Sequence, residues 1–279
     1  MIAEVAPAKL NLVLHVGPPD AGMHPIASLF ASLELADRVE TQEADEDRVI
    51  CPGVEGDNLA AAAVRELRER RLPGLPPLEI RIEKRIPVAA GLGGGSADAA
   101  AALRAANRLA GSPVSADELR ALAAELGSDV PSQVEPGHAV VTGTGELIEP
   151  IELPPVDLVL VPDERGLSAG AVYAELDRAE GWRERLDPEP LRALAGAGAE
   201  ELARVLENDL EPPARALLPD IGGALDALRT AGALGVAVSG SGPTCFGLFP
   251  GPDEAVAAAG RIPGALATRL QSGRCRPAR

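Results

Sequence analysis

Between Pro87 and Ala110 the chain reads PVAAGLGGGSADAAAALRAANRLA, with Gly91, Gly93, Gly94 and Gly95 crowded into one turn's length. Glycine lets a backbone bend through positive φ and approach a ligand closely. Ser96 is a good N-cap, and Ala97 to Leu109 is strong helix-forming sequence closed by Gly111. A glycine loop feeding a helix N-terminus aims free N–H groups and the positive dipole end at one point, which suits a phosphate. Leu78 to Lys84 (LEIRIEK) alternates as a strand and delivers the chain into this loop. Neither common phosphate pattern fits. A Walker A loop needs a lysine after its last glycine, and Gly95-Ser96-Ala97 has none. The dinucleotide pattern fits at Gly91 and Gly93 but meets Ser96 where its third glycine belongs. Asp117 and Glu118, near the spacing of a ribose-binding acid, open a helical segment instead. The plain alternative is a glycine turn that only caps a helix; so dense a run beside a long apolar helix favours phosphate.

Composition narrows the ligand. The chain has 279 residues, 46% hydrophobic, enough for one large or two ordinary domains with cores. With 42 Asp and Glu against 26 Lys and Arg the net charge is −16, which argues against nucleic acid and anionic membranes as partners. An anionic substrate then depends on local positive groups, and the only lysines are Lys9 and Lys84. Aromatic residues make up 2%, so the core must be Leu, Val, Ile and Ala, and stacking platforms for single strands are lacking. Cys51, Cys245 and Cys275 form neither a C-x-x-C pair nor a zinc pattern, which fits a reduced, cytoplasmic setting. No signal-peptide pattern opens the chain and no apolar run approaches about 18 residues, so a soluble protein is expected.

Along the chain, Glu4 to Val16 reads as strand, with an alternating β-rich run from Leu10 onward, and within it Lys9 and Asn11 share a face; an edge lysine and a solvated asparagine are the ordinary reading of such a pair. Met23-His24-Pro25 leads into a second strand, Ile26 to Leu35, and a lone histidine is ordinarily a loop residue. Asp37 to Val54 is charged and reads as edge strand or loop, and Asn58 to Arg71 as a helix. Ser115 to Leu126 is a helix with a Ser115–Glu118 capping box, followed by Asp129 in a proline-fixed turn, where an aspartate usually serves its own backbone. Gly137 to Val141 and Glu146 to Glu149 form a hairpin. Pro154-Pro155 marks a boundary between residues 1–153 and 154–279. The second part reads as strand Asp157 to Val161, helix Ser168 to Asp177, helix Ile221 to Ala231, and strands Leu234 to Val238 and Thr244 to Phe249 around the turn Ser239-Gly240-Ser241-Gly242-Pro243. Helix Glu254 to Gly260 and strand Ala265 to Leu270 follow, which suggests a β-α-β-β-α-β sandwich.

Three ordered stretches, PAKLNL (Pro7 to Leu12), PVAAGLGGGSADAAAAL (Pro87 to Leu103) and SGSGPTCF (Ser239 to Phe246), resemble the three motifs of the GHMP small-molecule kinases. GDNLAAAA, EKRIP, GSDVP and NDLEPPA agree best with the branch that phosphorylates a cytidine-diphosphate-linked methylerythritol in non-mevalonate isoprenoid synthesis. The resemblance implies an α+β, two-domain GHMP kinase fold: an N-terminal ATP-binding part that is ribosomal protein S5 domain 2-like and a C-terminal ferredoxin-like α/β sandwich. It implies Asp129 as the base facing the substrate hydroxyl with Lys9 beside it, as catalytic residues. Pro87, Val88, Ala89, Ala90, Gly91, Leu92, Gly93, Gly94, Gly95 and Ser96 would wrap the ATP phosphates, with Asn58 and Lys84 by the nucleotide and Ser96 near Mg2+. Asn11, Met23, His24, Gly240, Ser241 and Gly242 would meet the substrate, His24 by bonding the cytosine. Two departures touch recognition: Met23 stands where the family has a tyrosine that stacks on the base, and Ser132-Gln133 follow GSDVP where an apolar pair is usual. A sister kinase of mevalonate or homoserine type, or a non-catalytic nucleotide-binding protein of this fold, are the competing expectations. A monomer or homodimer is expected.

Overall fold

The computed structural model describes residues 1–54 and 56–273; Cys275 lies outside them. Two long antiparallel strands dominate the first half, β1 (Ile2–Val16) and β2 (Ile26–Glu43). Short β3 (Arg48–Ile50) follows, then α1 (Leu59–Arg70), whose N-cap Asn58 accepts from the Ala60 N–H at 2.9 Å. β4 (Leu78–Glu83) leads through the glycine loop to α2 (Gly94–Leu109). Next come α3 (Ala116–Ala124), with the Ser115–Glu118 capping box formed, and α4 (Val130–Val134). The hairpin of β5 (Ala139–Gly143) and β6 (Leu147–Pro150) closes this half.

The second half runs β7 (Asp157–Val161), α5 (Ala169–Ala179), α6 (Glu189–Arg192) and α7 (Ala199–Val205). Then follow β8 (Glu207–Asn208), α8 (Glu211–Leu217), α9 (Asp220–Thr230), β9 (Gly235–Val238), β10 (Cys245–Leu248), α10 (Pro252–Ala259) and β11 (Leu266–Arg269). One sheet is ordered β3-β4-β2-β1-β8, with the β5–β6 hairpin also on β2; the other is ordered β11-β7-β10-β9 and antiparallel throughout. The second sheet with α9 and α10 gives the expected ferredoxin-like part, and the whole is the two-domain α+β fold that the motifs imply. β8 leaves that part and pairs parallel with β1, so the later half also feeds the first sheet.

With few aromatics available, aliphatic side chains fill the interior. α2 buries Ala97, Ala99 to Ala102, Ala105 and Ala106, small enough for close approach to α1 and β1. On the other face of the first sheet, Leu10, Leu12, Leu29 and Leu33 share a core with Leu158, Leu160, Phe246 and Leu248 of the second. No described helix is long and apolar enough to cross a membrane.

Two boundaries differ from the local reading. β1 starts at Ile2, just before the expected Glu4, and β2 continues past Leu35 through the charged stretch expected to be edge strand or loop. Asp37 lies inside β2 and is buried. It is tolerated because Lys84 Nζ sits 2.5 Å from Oδ2, while the N–H groups of Arg85 and Ile86 donate to Oδ1 at 2.5 and 2.9 Å. A buried carboxylate with an ammonium and two amides can stand in a strand that polarity alone would end.

Candidate active site

The β1–β2 register slips between Pro7 and Lys9 and again between Asn11 and Val13, so irregularities bracket the PAKLNL residues. Such bulges re-aim side chains, and here they flank Lys9 and Asn11. Lys9 is buried, and its Nζ donates to Asn11 Oδ1 at 2.8 Å. Asn11 Nδ2 donates to Ser28 Oγ at 2.9 Å, and Ser28 donates to the Val13 carbonyl at 2.5 Å. The ammonium also lies 4.7 Å from the Phe30 ring centroid. Its remaining contact is Asp129 Oδ2, 3.1 Å away. Asn11 is thus the lysine's anchor as well as a cleft residue; Ser28 and Phe30, with no motif around them, escaped the sequence reading.

Asp129 precedes α4 with a helical backbone, and its carboxylate caps nothing. It turns to Lys9 instead of serving its own turn. Ser132, in place of the usual apolar residue, donates to the Asp129 carbonyl at 2.8 Å. Arg104 on α2 donates to the carbonyls of Gln133 and Val5, each at 2.6 Å, and pairs with the buried Glu4 at 3.1 Å. That clip joins α2, β1 and α4, and so holds the aspartate's turn against the lysine's strand.

The glycine loop is tied to both glycine-rich and lysine-bearing segments. Lys9 N–H donates to the Leu92 carbonyl at 2.9 Å, and Ser239 Oγ donates to the Gly91 carbonyl at 3.2 Å. Gly91 (φ 75°) passes so near the late turn that a Cβ would lie 2.5 Å from the Gly242 carbonyl oxygen. α2 begins earlier than expected: Gly93, left-handed at φ 68°, is the N-cap, and Ser96 falls within the first turn. The first internal bond is Ala97 N–H to the Gly93 carbonyl, so the N–H groups of Gly94, Gly95 and Ser96 have no partner within the helix.

Two clefts meet at this loop. The first, about 490 Å³, holds Lys9, Asn11, Met23, His24, Asp129, Tyr173, Asp177, Gly240 and Ser241. The second, about 380 Å³, is lined by Asn58, Lys84, the whole run Pro87 to Ser96, Cys51 and Asp98. Gly91 and Gly93 belong to both walls. The chain's only two lysines therefore stand one in each cleft. Gly242 lines neither; its carbonyl backs onto Gly91.

Behind the second cleft Lys84 Nζ bridges Asp37 (2.5 Å) and Asp98 (2.7 Å). Burial alone would pull the Lys84 ammonium down, but the two carboxylates outweigh it and its pKa is raised. One ammonium does not satisfy two buried acids. Asp98 Oδ1 has no hydrogen-bond partner among the described residues, and burial, only partly opposed by Lys84, pushes the Asp98 carboxyl up to about 7. At the far end of the first cleft His24 sits beside Tyr173, ring centroids 5.2 Å apart, while Met23 is exposed. Burial, helped by the Asp129 charge, pushes the Tyr173 phenol up to about 12, so the ring stays neutral. Tyr173, Asp177, Asp37 and Asp98 were missed; Tyr173, as the chain's only tyrosine in a nearly ring-free sequence, was the one with a signal to follow.

Residues 58–137 match the GHMP kinases N terminal domain and residues 185–267 the GHMP kinases C terminal domain. The 4-diphosphocytidyl-2-C-methyl-D-erythritol kinase of Streptomyces avermitilis is 43% identical over 98% of this chain and 94% of that protein. The chain belongs to this family of GHMP kinases. The enzyme of the same name from Rhizobium meliloti is 42% identical, covering 92% of the chain and 89% of its own length. A crystal structure of 4-(cytidine 5'-diphospho)-2C-methyl-D-erythritol kinase superposes with a TM-score of 0.80 at 38% identity, over 98% of the chain and all of its own. A more distant likeness is of fold alone: L. major mevalonate kinase in complex with R-mevalonate gives a TM-score of 0.73 at 15% identity, over 98% of this chain and 96% of its own. The chain is accordingly a kinase of this type.

Proposed function

We propose that this kinase transfers the γ-phosphoryl group of ATP to the 2-hydroxyl of 4-diphosphocytidyl-2-C-methyl-D-erythritol, a step in non-mevalonate isoprenoid precursor synthesis. The carrying observation is the shared wall: Gly91 and Gly93 face the nucleotide cleft on one side and the Lys9–Asp129 pair on the other. A donor phosphate held at α2 and a hydroxyl held at Asp129 would meet across that wall. Asp129 Oδ takes the hydroxyl proton as the oxygen attacks, and Lys9, fixed by Asn11, orients the acceptor and offsets charge on the transferring group. Phosphoryl transfer needs mainly such positioning and electrostatic stabilisation. The relatives' shared name supports the choice of acceptor over mevalonate or homoserine.

Mg2+ fits this site as a companion of the nucleotide. Among the described residues no trio of acidic or histidine side chains forms a cage, and Mg2+ bound mostly by phosphates and water needs none. Ser96, in the first turn of α2 on the nucleotide cleft, would hold it, and the ion would neutralise phosphate charge. Incubation of the purified protein with the cytidine compound, ATP and Mg2+, followed by phosphorus NMR, is expected to show one new phosphomonoester and ADP. Transfer to mevalonate or homoserine instead would reassign the acceptor.

A further inference from the structure

Asn208, the second residue of β8, is buried and lines neither cleft. Its Nδ2 donates to the Val238 carbonyl at 2.7 Å and to the Gly240 carbonyl at 2.8 Å, while its Oδ1 accepts from the Leu210 N–H at 2.8 Å. A side-chain amide has two N–H donors, and both are spent on the backbone around one turn. Asn208 also stands opposite Leu14 in the parallel β1–β8 ladder, and the Asp209 N–H donates to the Leu14 carbonyl at 2.9 Å. It therefore rides on the strand that carries Lys9 and reaches across to the turn from Ser239 to Pro243. Gly240, left-handed at φ 56°, is the point it holds. A Cβ there would lie 3.3 Å from Asn11 Oδ1 and 3.7 Å from Lys9 Nζ, so the Gly240 backbone roofs the hydrogen bond between those two side chains. The turn's ties to the glycine loop, Ser239 Oγ to the Gly91 carbonyl and Thr244 N–H to the Ala90 carbonyl, hold its ends. Among the described residues the Gly240 carbonyl has only Asn208 as a partner.

We infer that Asn208 is a positioning residue for phosphoryl transfer: it holds Gly240 over the Lys9–Asn11 pair and so keeps the ammonium dry and directed at Asp129. The inference rests on the reading that Lys9 and Asp129 act on the acceptor hydroxyl. A buried carbonyl left without its donor takes another where one is near. Lys9 stands beside Gly240, and a bond to that carbonyl would draw the ammonium off Asp129. Displacements of about 1 Å in such a constellation cost on the order of a hundredfold in rate. The neighbouring residue supplies a contrast. Asp209 secures the same short strand but faces away from the turn, its carboxylate accepting from the Val16 N–H at 2.9 Å and from Arg183 through two bonds of 2.8 and 2.9 Å. One residue of β8 thus serves the strand's anchorage, and the other serves the roof above the lysine.

The test compares kcat, the KM for ATP and urea unfolding in wild type, Asn208→Ala, Asn208→Asp and Asp209→Asn. Aspartate keeps the shape of Asn208 and its bond to the Leu210 N–H, but sets an acceptor oxygen against both carbonyls. Both Asn208 variants are expected to lose about 10- to 100-fold in kcat with the KM for ATP held within about twofold. Asp209→Asn is expected to lower the urea midpoint and keep kcat within about twofold of wild type. In a Lys9→Met background, Asn208→Ala is expected to cost less than about threefold more, since the group through which it acts is gone. Unchanged kcat in the Asn208 variants, an equal kcat loss in Asp209→Asn or a full additional loss beside Lys9→Met would each overturn the inference. So would failure of both Asn208 variants to fold, which would assign the residue to the scaffold. The rates are taken on whichever acceptor wild type phosphorylates, so a wrong choice of acceptor leaves the comparison intact. Wild-type turnover that survives Asp129→Asn undiminished refutes the underlying reading and this inference with it, whereas unchanged Asn208 variants refute the inference alone.

Discussion

Gly93 and the Lys9 side chain are in such close contact that a Cβ on Gly93 would lie 2.9 Å from Lys9 Cγ. The residue that caps α2 is therefore also the residue against which the Lys9 side chain rests. The glycine loop and β1 form one surface, with no spacer between them.

Gly93→Ala tests that contact. Alanine at φ 68° costs roughly 1–2 kcal/mol for the left-handed backbone, and its methyl must displace the Lys9 stem. Urea unfolding should show a loss of about that size, while turnover should fall by more than about tenfold because Lys9 Nζ leaves its 3.1 Å contact with Asp129. Turnover that stayed within twofold of wild type would mean that the lysine's position is not set by this packing. Gly95, helical and with nothing within 4 Å of its Cβ site, should accept alanine with no loss of stability.

Asp129→Asn removes the proposed proton acceptor but leaves the cleft lined by Lys84 and the glycine loop intact. ATP affinity, measured by calorimetry, should stay within a few-fold, and single-turnover transfer should fall by about 100- to 10,000-fold. Lys9→Met should lose a comparable amount, and the double variant little more than either, because the two act as one unit. Additive losses would mean that lysine and aspartate work independently.

The Asp37–Lys84–Asp98 cluster has a pH signature. Asp98 ionises near 7 in the fold against an ordinary 3.8, so between those values the folded protein holds a proton that the unfolded chain has lost. Stability then falls as pH rises: the contribution is complete below about 4, declines through the window up to about 7, and changes no further above it. Asp98→Asn should abolish that slope. Unfolding of wild type and variant in urea, compared at each pH, should show their difference change by at most a few kcal/mol across the window. A flat difference would mean that Asp98 is ionised throughout.

Much of the site was legible because its signals are local. A glycine run after an alternating strand and before an alanine-rich helix predicts a strand, a tight loop and a helix N-terminus with open N–H groups, since strand alternation and helix N-termini follow from the nearest few residues. Lys9 and Asn11 on one strand face, the Ser115 capping box and the late Gly240–Gly242 turn are of the same kind. The motifs together carried the family and the two-domain fold. Where polarity was read alone it misled: Asp37 looked like the end of a strand, and Ser96 like a cap that Gly93 provides.

The residues read by themselves did not show how distant segments meet, and the Lys9–Asp129 pair was expected from the resemblance alone. Lys9 meets Asp129 only after α4 is clipped to α2 and β1 through Arg104, and Lys84 finds Asp37 only after β2 and β4 pair. Tyr173 and Asp177 come to His24 because α5 borders the cleft from the other half of the chain. A buried charge is stable only where its partner has been delivered, and delivery is a property of packing between elements. Pattern along the chain names the loop, the lysine and the aspartate; the folded arrangement decides that they border one cleft, and which side chains from the later half line it with them.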